Sequence, residues 1–210
     1  MKLEGARIGF LGDSITQGVG VSCEANTFHQ LIGVEQKLGW AHNFGISATR
    51  IARQKGNSDW HPADLDFCLR SAVIPNDLDA VVIFGGTNDY GHGEATFGEK
   101  DSFDVYTFYG ALNTLFTHFK ENAPNTKVIF MTPLHRLNEN NPSFPEGKVL
   151  KDYVDAIKEI AANYDVHIID LYEEAPIDPA DPEVVPDGLH PSDKGHRIMA
   201  DFITKKLLEI

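Results

Sequence analysis

Short β-branched apolar runs alternate with longer stretches of helical periodicity along this chain, and that alternation constrains the fold more than any other feature. Ala80-Val81-Val82-Ile83-Phe84 is the clearest case: five apolar residues in a row suit a strand covered on both faces. Arg7 to Leu11, Trp40 to Phe44, Lys127 to Met131 and Val166 to Asp170 are similar short runs. Helices are predicted over Ala25–Leu38, Ala63–Val73, Val105–Lys120, Gly147–Tyr164 and Ser192–Leu208. Phe28, Leu31, Ile32 and Leu38 recur at helical spacing in the first, before a stop at Gly39. Leu65, Leu69 and Val73 make one stripe in the second, and Leu150, Val154, Ile157 and Ile160 turn inward in the fourth.

Five strands separated by helices define an α/β protein, a three-layer αβα sandwich around a parallel sheet. Right-handed crossovers make the flavodoxin-like strand order 2-1-3-4-5 the leading topology. A chain of 210 residues suits one well-buried domain, and no linker, repeat or low-complexity tract divides residues 1–210. The compositional exception is Glu173 to Asp187, with four prolines, six acidic residues and no Lys or Arg. Such a stretch reads as a stiffened loop, because proline removes backbone donors and breaks helices.

Charge narrows the partners. With 18 basic against 31 acidic residues the net charge is −13, the wrong sign for nucleic acid or for polyanions in general. Met1-Lys2-Leu3-Glu4-Gly5 lacks the apolar core of a signal peptide, and no apolar run approaches the ~18 residues that span a bilayer. The expectation is a cytoplasmic protein without a membrane span. Cys23 and Cys68 show no CxxC or zinc-like spacing; they read as buried thiols, with a disulfide left open.

Chemistry concentrates in loops that follow the predicted strands. Gly12-Asp13-Ser14-Ile15-Thr16 comes after the first, and Asn43-Phe44-Gly45-Ile46-Ser47 lies at the end of the second. Gly85-Gly86-Thr87-Asn88-Asp89 follows the third, and Asp187-Gly188-Leu189-His190-Pro191 comes after the fifth. Open α/β sheets bind ligands at the carboxyl ends of their strands, so these loops can converge. A serine hydroxyl needs a base, and His190 can supply one to Ser14. An imidazole needs a carboxylate on its other nitrogen, and Asp187 stands three residues before it with Gly188 permitting a sharp turn. Glycine-rich loops and the Asn88 amide can supply donors to an oxyanion.

These four blocks, in this order, resemble the SGNH/GDSL hydrolases. Ser14 in Gly-Asp-Ser-Ile is similar to the nucleophile block, with Ile15 where Leu is usual; Gly45, Asn88 and the Asp187-x-x-His190 pair are similar to the other three. The resemblance covers essentially the whole chain. It implies a Ser14–His190–Asp187 triad and an oxyanion hole built from Ser14 N–H, Gly45 N–H and the Asn88 side chain. It also implies hydrolysis of carboxylic esters, with no metal and no organic cofactor.

The expected activity is therefore a serine esterase acting on short acyl groups, such as acetyl on a carbohydrate or another small molecule. A lysophospholipase or thioesterase and an acyltransferase with the same triad are the alternatives. A non-catalytic phosphate-binding module using Gly12 to Gly20 is a more remote one, since the Walker and GxGxxG patterns are incomplete. Asp89-Tyr90-Gly91-His92 is a rival Asp-x-x-His, and Asp187, His190 and His196 are a rival metal set; His29, His118 and His167 read as structural. Asp13, Thr16, Phe44, Tyr90 and His135 are candidate substrate contacts, with Trp40 and His92 near the same edge. The aromatic stretch Phe97 to Tyr109 reads first as a helix packing face and second as a lid or a surface for a homo-oligomer.

Overall fold

The computed structural model describes residues 1–56 and 65–210. Five strands form one sheet: β1 (Arg7–Gly12), β2 (Trp40–Gly45), β3 (Ala80–Phe84), β4 (Lys127–Met131) and β5 (Val166–Ile169). All pairings are parallel and the spatial order is β2-β1-β3-β4-β5, as the βα alternation predicts. The register sets Gly12 beside both Gly45 and Phe84, Phe84 beside Met131, and Met131 beside Ile169. The strands thus end in one row, and the loops that leave them start at the same height. Because the chain steps from β1 to β2 on one side and returns to β3 on the other, the loops after β1 and β3 part at a crevice.

The helices are α1 (Ser14–Gln17), α2 (Phe28–Glu35), α3 (Phe67–Ser71), α4 (Thr87–His92), α5 (Phe108–Asn122), α6 (Leu150–Ala161), α7 (Leu171–Glu174) and α8 (Asp193–Glu209). Alternate residues of β3 feed two separate cores. Val81 and Ile83 join the aromatic and aliphatic side chains of α5 and α6, while Ala80, Val82 and Phe84 join those of α2 and α8. Burying each such Leu, Ile or Phe contributes about 1.5–3 kcal/mol, enough to hold helices of this length that would be marginal alone. Phe97 and Phe108 pack on Tyr153 at ring separations of 4.8 and 4.9 Å, so the aromatic stretch before α5 is mainly a packing face. Among the described residues no helix is long and apolar enough to cross a membrane. Both cysteines are free, and Cys23 is exposed rather than buried.

The helix predicted over residues 63–73 differs most from expectation; residues 63 and 64 lie outside the described ones. Its buried side consists of Phe67, Arg70 and Ser71, whereas Leu69 and Val73 are exposed at 47% and 71%. Arg70 outranks the aliphatic stripe because the sheet edge offers it unpaired acceptors. Its Nε donates to Leu65 O (2.9 Å), Nη1 to Phe44 O (2.6 Å), and Nη2 to Gly12 O (3.1 Å) and Thr49 Oγ1 (2.7 Å). One guanidinium therefore ties the ends of β1 and β2 to the loop beyond β2. Burial pulls its pKa down to about 10, with Asp13 and Asp66 opposing, so it stays charged at neutral pH.

On the opposite face two histidines support α1. His29 Nε2 donates to Thr16 O at 3.1 Å, and Phe28 N–H donates to His196 Nδ1 at 3.1 Å, which joins α2 to α8. Both rings are fully buried, and burial lowers both pKa values from 6.5 to about 4. They pack around Phe28, His29 in keeping with its structural reading.

Replacing Arg70 by Met removes a donor from four acceptors, of which Gly12 O keeps Ile46 N–H, and the expected loss is on the order of 3 kcal/mol or more in urea unfolding at pH 7. A loss under about 1 kcal/mol would contradict the clamp. The histidines set a pH dependence of known sign. Their folded pKa is depressed, so their stabilising effect is complete above pH 6.5 and disappears as pH falls towards 4, by up to about 3 kcal/mol each. His196→Asn keeps an acceptor and cannot titrate, so its unfolding free energy should fall less than the parent's across that window. Parallel curves for the two proteins would remove His196 from the account.

Candidate active site

Ser14 opens α1 directly beyond β1, and Asp13 caps that helix by accepting Ile15 N–H at 3.0 Å. Ser14 is nearly buried, and its Oγ lies 2.9 Å from His190 Nε2. His190 Nδ1 lies 2.7 Å from Asp187 Oδ2, while Asp187 Oδ1 accepts the backbone N–H of Leu189 (2.9 Å) and of His190 (2.7 Å). The carboxylate thus folds its own turn and orients the imidazole at once. Burial works to raise the Asp187 pKa, but the bonds from His190 and Leu189 outweigh it and hold the carboxyl below its ordinary value. A carboxylate at Nδ1 keeps the proton there, which leaves the Nε2 lone pair facing the serine hydroxyl. Gly188 adopts φ +77°, and a Cβ there would fall 2.4 Å from the Leu137 side chain. The structure brings His190, and not His92, to Ser14.

Asn88 is the second residue of α4. One of its amide hydrogens goes to Thr49 O at 3.0 Å, which leaves the other uncommitted. Gly45 differs from expectation: its N–H donates to Asn43 Oδ1 at 2.8 Å, so it is already engaged. Its lack of a side chain serves packing, since a Cβ there would fall 2.3 Å from Gln17 N. The free donor beyond β2 is three residues later. Ile46 N–H bonds Gly12 O, Ser47 N–H bonds Gln17 Oε1, and Thr49 N–H closes a turn onto Ile46 O. Among the described residues Ala48 N–H has no partner, and Ala48 sits at φ +62°, a left-handed conformation that costs a non-glycine residue roughly 1–2 kcal/mol. Nothing in the residue type of an alanine advertises this position; only the turn residues Ser47 and Thr49 around it hint at it.

Two buried carboxyls brace these loops. Asp89 accepts Ile51 N–H (3.0 Å) and Ala52 N–H (2.9 Å), joining α4 to the segment beyond β2. Burial raises Asp89 to about 6 against those bonds, and raises Asp13 to about 7 against Ile15 N–H and Arg70. Asp13 and Thr16 are therefore corrections as substrate contacts, because both are closed off from solvent. Trp40 pairs with Arg7 at the starting end of β1, the far end of the sheet. His135 Nδ1 lies 2.8 Å from Glu139 under Tyr172. Phe44 instead lines an apolar groove of about 400 Å³ between β2 and α3, with Ile46, Leu69 and Val73. Tyr90 and His92 line a cleft of about 340 Å³ beside α4, and the Tyr90 hydroxyl donates to Asn141 O at 3.0 Å. Among the described residues no three His, Cys, Asp or Glu side chains gather as metal ligands, and His196 is occupied with Phe28.

Comparison with known proteins shows the family and the fold. An acetylxylan esterase of Xylanibacter ruminicola is 30% identical over 216 aligned positions, covering 96% of this chain and 43% of that protein. The chain thus spans less than half the length of that relative. A crystallised protein from Lactobacillus plantarum is 29% identical, with a TM-score of 0.83 over 99% of this chain and 98% of the other. Est24, a carbohydrate acetylesterase from Sinorhizobium meliloti, shares the fold at 16% identity, with a TM-score of 0.70 over 97% and 99% of the two chains. The profile of the GDSL-like lipase/acylhydrolase family matches residues 10–198, and the chain belongs to that family.

Proposed function

We propose that the protein is a serine esterase that removes short acyl groups, acetyl foremost, from a carbohydrate. The observation that carries the reaction is the unbroken chain Asp187–His190–Ser14, with bonds of 2.7 and 2.9 Å. Ser14 Oγ attacks the ester carbonyl as His190 Nε2 takes its proton, and His190 then returns that proton to the departing alcohol. Water, activated by the same imidazole, releases the acid from the acyl-enzyme. Three donors serve the oxyanion: Ser14 N–H at the start of α1, the free Ala48 N–H, and the uncommitted Asn88 amide hydrogen. Ala48 N–H takes the role expected of Gly45, whose own N–H is bonded to Asn43.

Acetyl on a sugar is supported by the acetylxylan esterase relative and by the cleft beside α4, whose wall mixes the polar side chains of Arg136, Asn138 and Asn141 with the rings of Tyr90 and Phe144. The groove along β2 and α3 favours a second reading, hydrolysis of a longer acyl ester, because its lining is almost wholly apolar. An acetyl, butyryl and long-chain ester panel, run beside acetylated sugars, separates the two. Ser14→Ala should lower kcat at least a thousandfold while the thermal midpoint stays within a few degrees. A folded mutant with full activity would remove the nucleophile from the scheme. Asn88→Ala should cost about 2.7–4 kcal/mol of transition-state stabilisation, read as a 10²–10³-fold fall in kcat with KM little changed. A rise in KM at constant kcat would move Asn88 to substrate binding.

A further inference from the structure

The protein is strongly acidic, yet the cleft beside α4 is lined by no Asp or Glu among the described residues, and Arg136 is the cation in its wall. Among the described residues Arg7 pairs with Asp77, Arg53 with Asp66, and Arg197 with Glu35 and Asp201, while buried Arg50 has no ion pair and gives Nη2 to His92 O at 3.1 Å. Arg70 is saturated by backbone and hydroxyl oxygens. Arg136 has neither arrangement. Its Nη1 donates to Thr87 O at 3.1 Å and Thr87 Oγ1 at 3.2 Å, and its guanidinium lies 5.5 Å from the Tyr90 ring centroid. Gly91 leaves room for it, since a Cβ there would fall 2.7 Å from Nη1. Among the described residues Nε is buried without a partner and Nη2 makes no hydrogen bond, since the side chain's bonds to Thr87 both come from Nη1. The edge formed by Nε and Nη2 is the side of a guanidinium that pairs with both oxygens of a carboxylate.

Leaving a desolvated, rigidly held cation without a counter-ion is costly unless a ligand supplies one. Burial works against its charge while Tyr90, Asp13 and Asp187 favour it without a salt bridge, and the Glu139 carboxylate accepts its backbone N–H at 3.2 Å. Its position relates it to the leaving alcohol. Thr87, which anchors Nη1, precedes Asn88, and Leu137 N–H donates to Gly188 O at 2.9 Å, within the turn that carries His190. His190 is the group that returns a proton to the departing oxygen, so the alcohol portion leaves on the side of the Leu137–Gly188 contact. Asn138, Asn141 and the exposed Phe144 ring continue the cleft from there with amide donors and a flat apolar face.

We propose that Arg136 recognises a carboxylate on the alcohol portion of the substrate, so that the preferred esters are acylated acidic saccharides rather than neutral ones. This rests on the esterase reading of Ser14 and His190, but binding of the acid group can be measured without turnover. The test compares kcat/KM for acetylated glucuronate and acetylated glucose, with glucuronate, glucose and glucose 6-phosphate as inhibitors of hydrolysis of a neutral activated acetyl ester. The wild-type protein should favour the glucuronate ester at least about tenfold, and Arg136→Gln should reduce that ratio about tenfold, chiefly through KM. Glucuronate should inhibit at a concentration at least tenfold below glucose, which reads the contact even if the variant fails to fold. An unchanged ratio in Arg136→Gln, or equal inhibition by glucuronate and glucose, would overturn the assignment. Stronger inhibition by glucose 6-phosphate would overturn the choice of carboxylate. Calorimetric titration of glucuronate into Ser14→Ala separates the two readings: tight binding beside a wild type inactive on every ester would strike the esterase reading alone.

Discussion

One buried guanidinium holds the working edge of this protein together. Arg70 reaches across from α3 to Gly12 O and Phe44 O at the ends of β1 and β2, to Leu65 O just before α3, and to Thr49 Oγ1 in the segment beyond β2. Unpaired carbonyls in a buried place are expensive, and satisfying several with a single rigid fork fixes their relative positions as well as their energy. Ser14 lies two residues beyond Gly12, and Ala48 lies three beyond Gly45. The relative placement of Ser14 and Ala48 therefore follows from where Arg70 sits.

Around that clamp the other constraints are carboxyls turned inward. Asp89 binds the backbone at Ile51 and Ala52, and Asp13 caps α1 at Ile15. Both are raised in pKa by burial while being held in place by the N–H groups they accept. These residues look like catalytic acids by type and by location beside Ser14, yet they contact no solvent. Asp187, partly open to water, is the carboxylate that reaches an imidazole. Exposure and direction separate the bracing carboxyls from the orienting one, and neither property is encoded in the residue type.

Much was readable before any coordinates. The runs that form β1 to β5 are short and alternate with helical periodicity, so their parallel order and three-layer packing follow from general rules of connection. The Asp187–His190 pairing was legible because it is local: three residues and a glycine suffice to fold a carboxylate back onto an imidazole. The stripe Leu65, Leu69 and Val73 misled, because aliphatic periodicity ranks burial by hydrophobicity and cannot see unpaired carbonyls waiting for Arg70. Gly45 misled for a similar reason. It stands in the right loop, but its N–H is taken by the side chain of Asn43 two residues earlier, and the free donor falls on an alanine with a left-handed backbone.

The sequence by itself determined the strand and helix pattern, the sheet order and the identities of serine, histidine and aspartate at the carboxyl edge. Those depend on periodicity and on short-range turn chemistry, both of which act over a few residues. Only the tertiary structure decided which N–H groups stay free, which carboxyls are sealed in, and which guanidinium lines the cleft beside the site. Each of those is a matter of competition among groups distant in the chain for the same hydrogen-bond partners, and it is resolved only when the sheet edge closes.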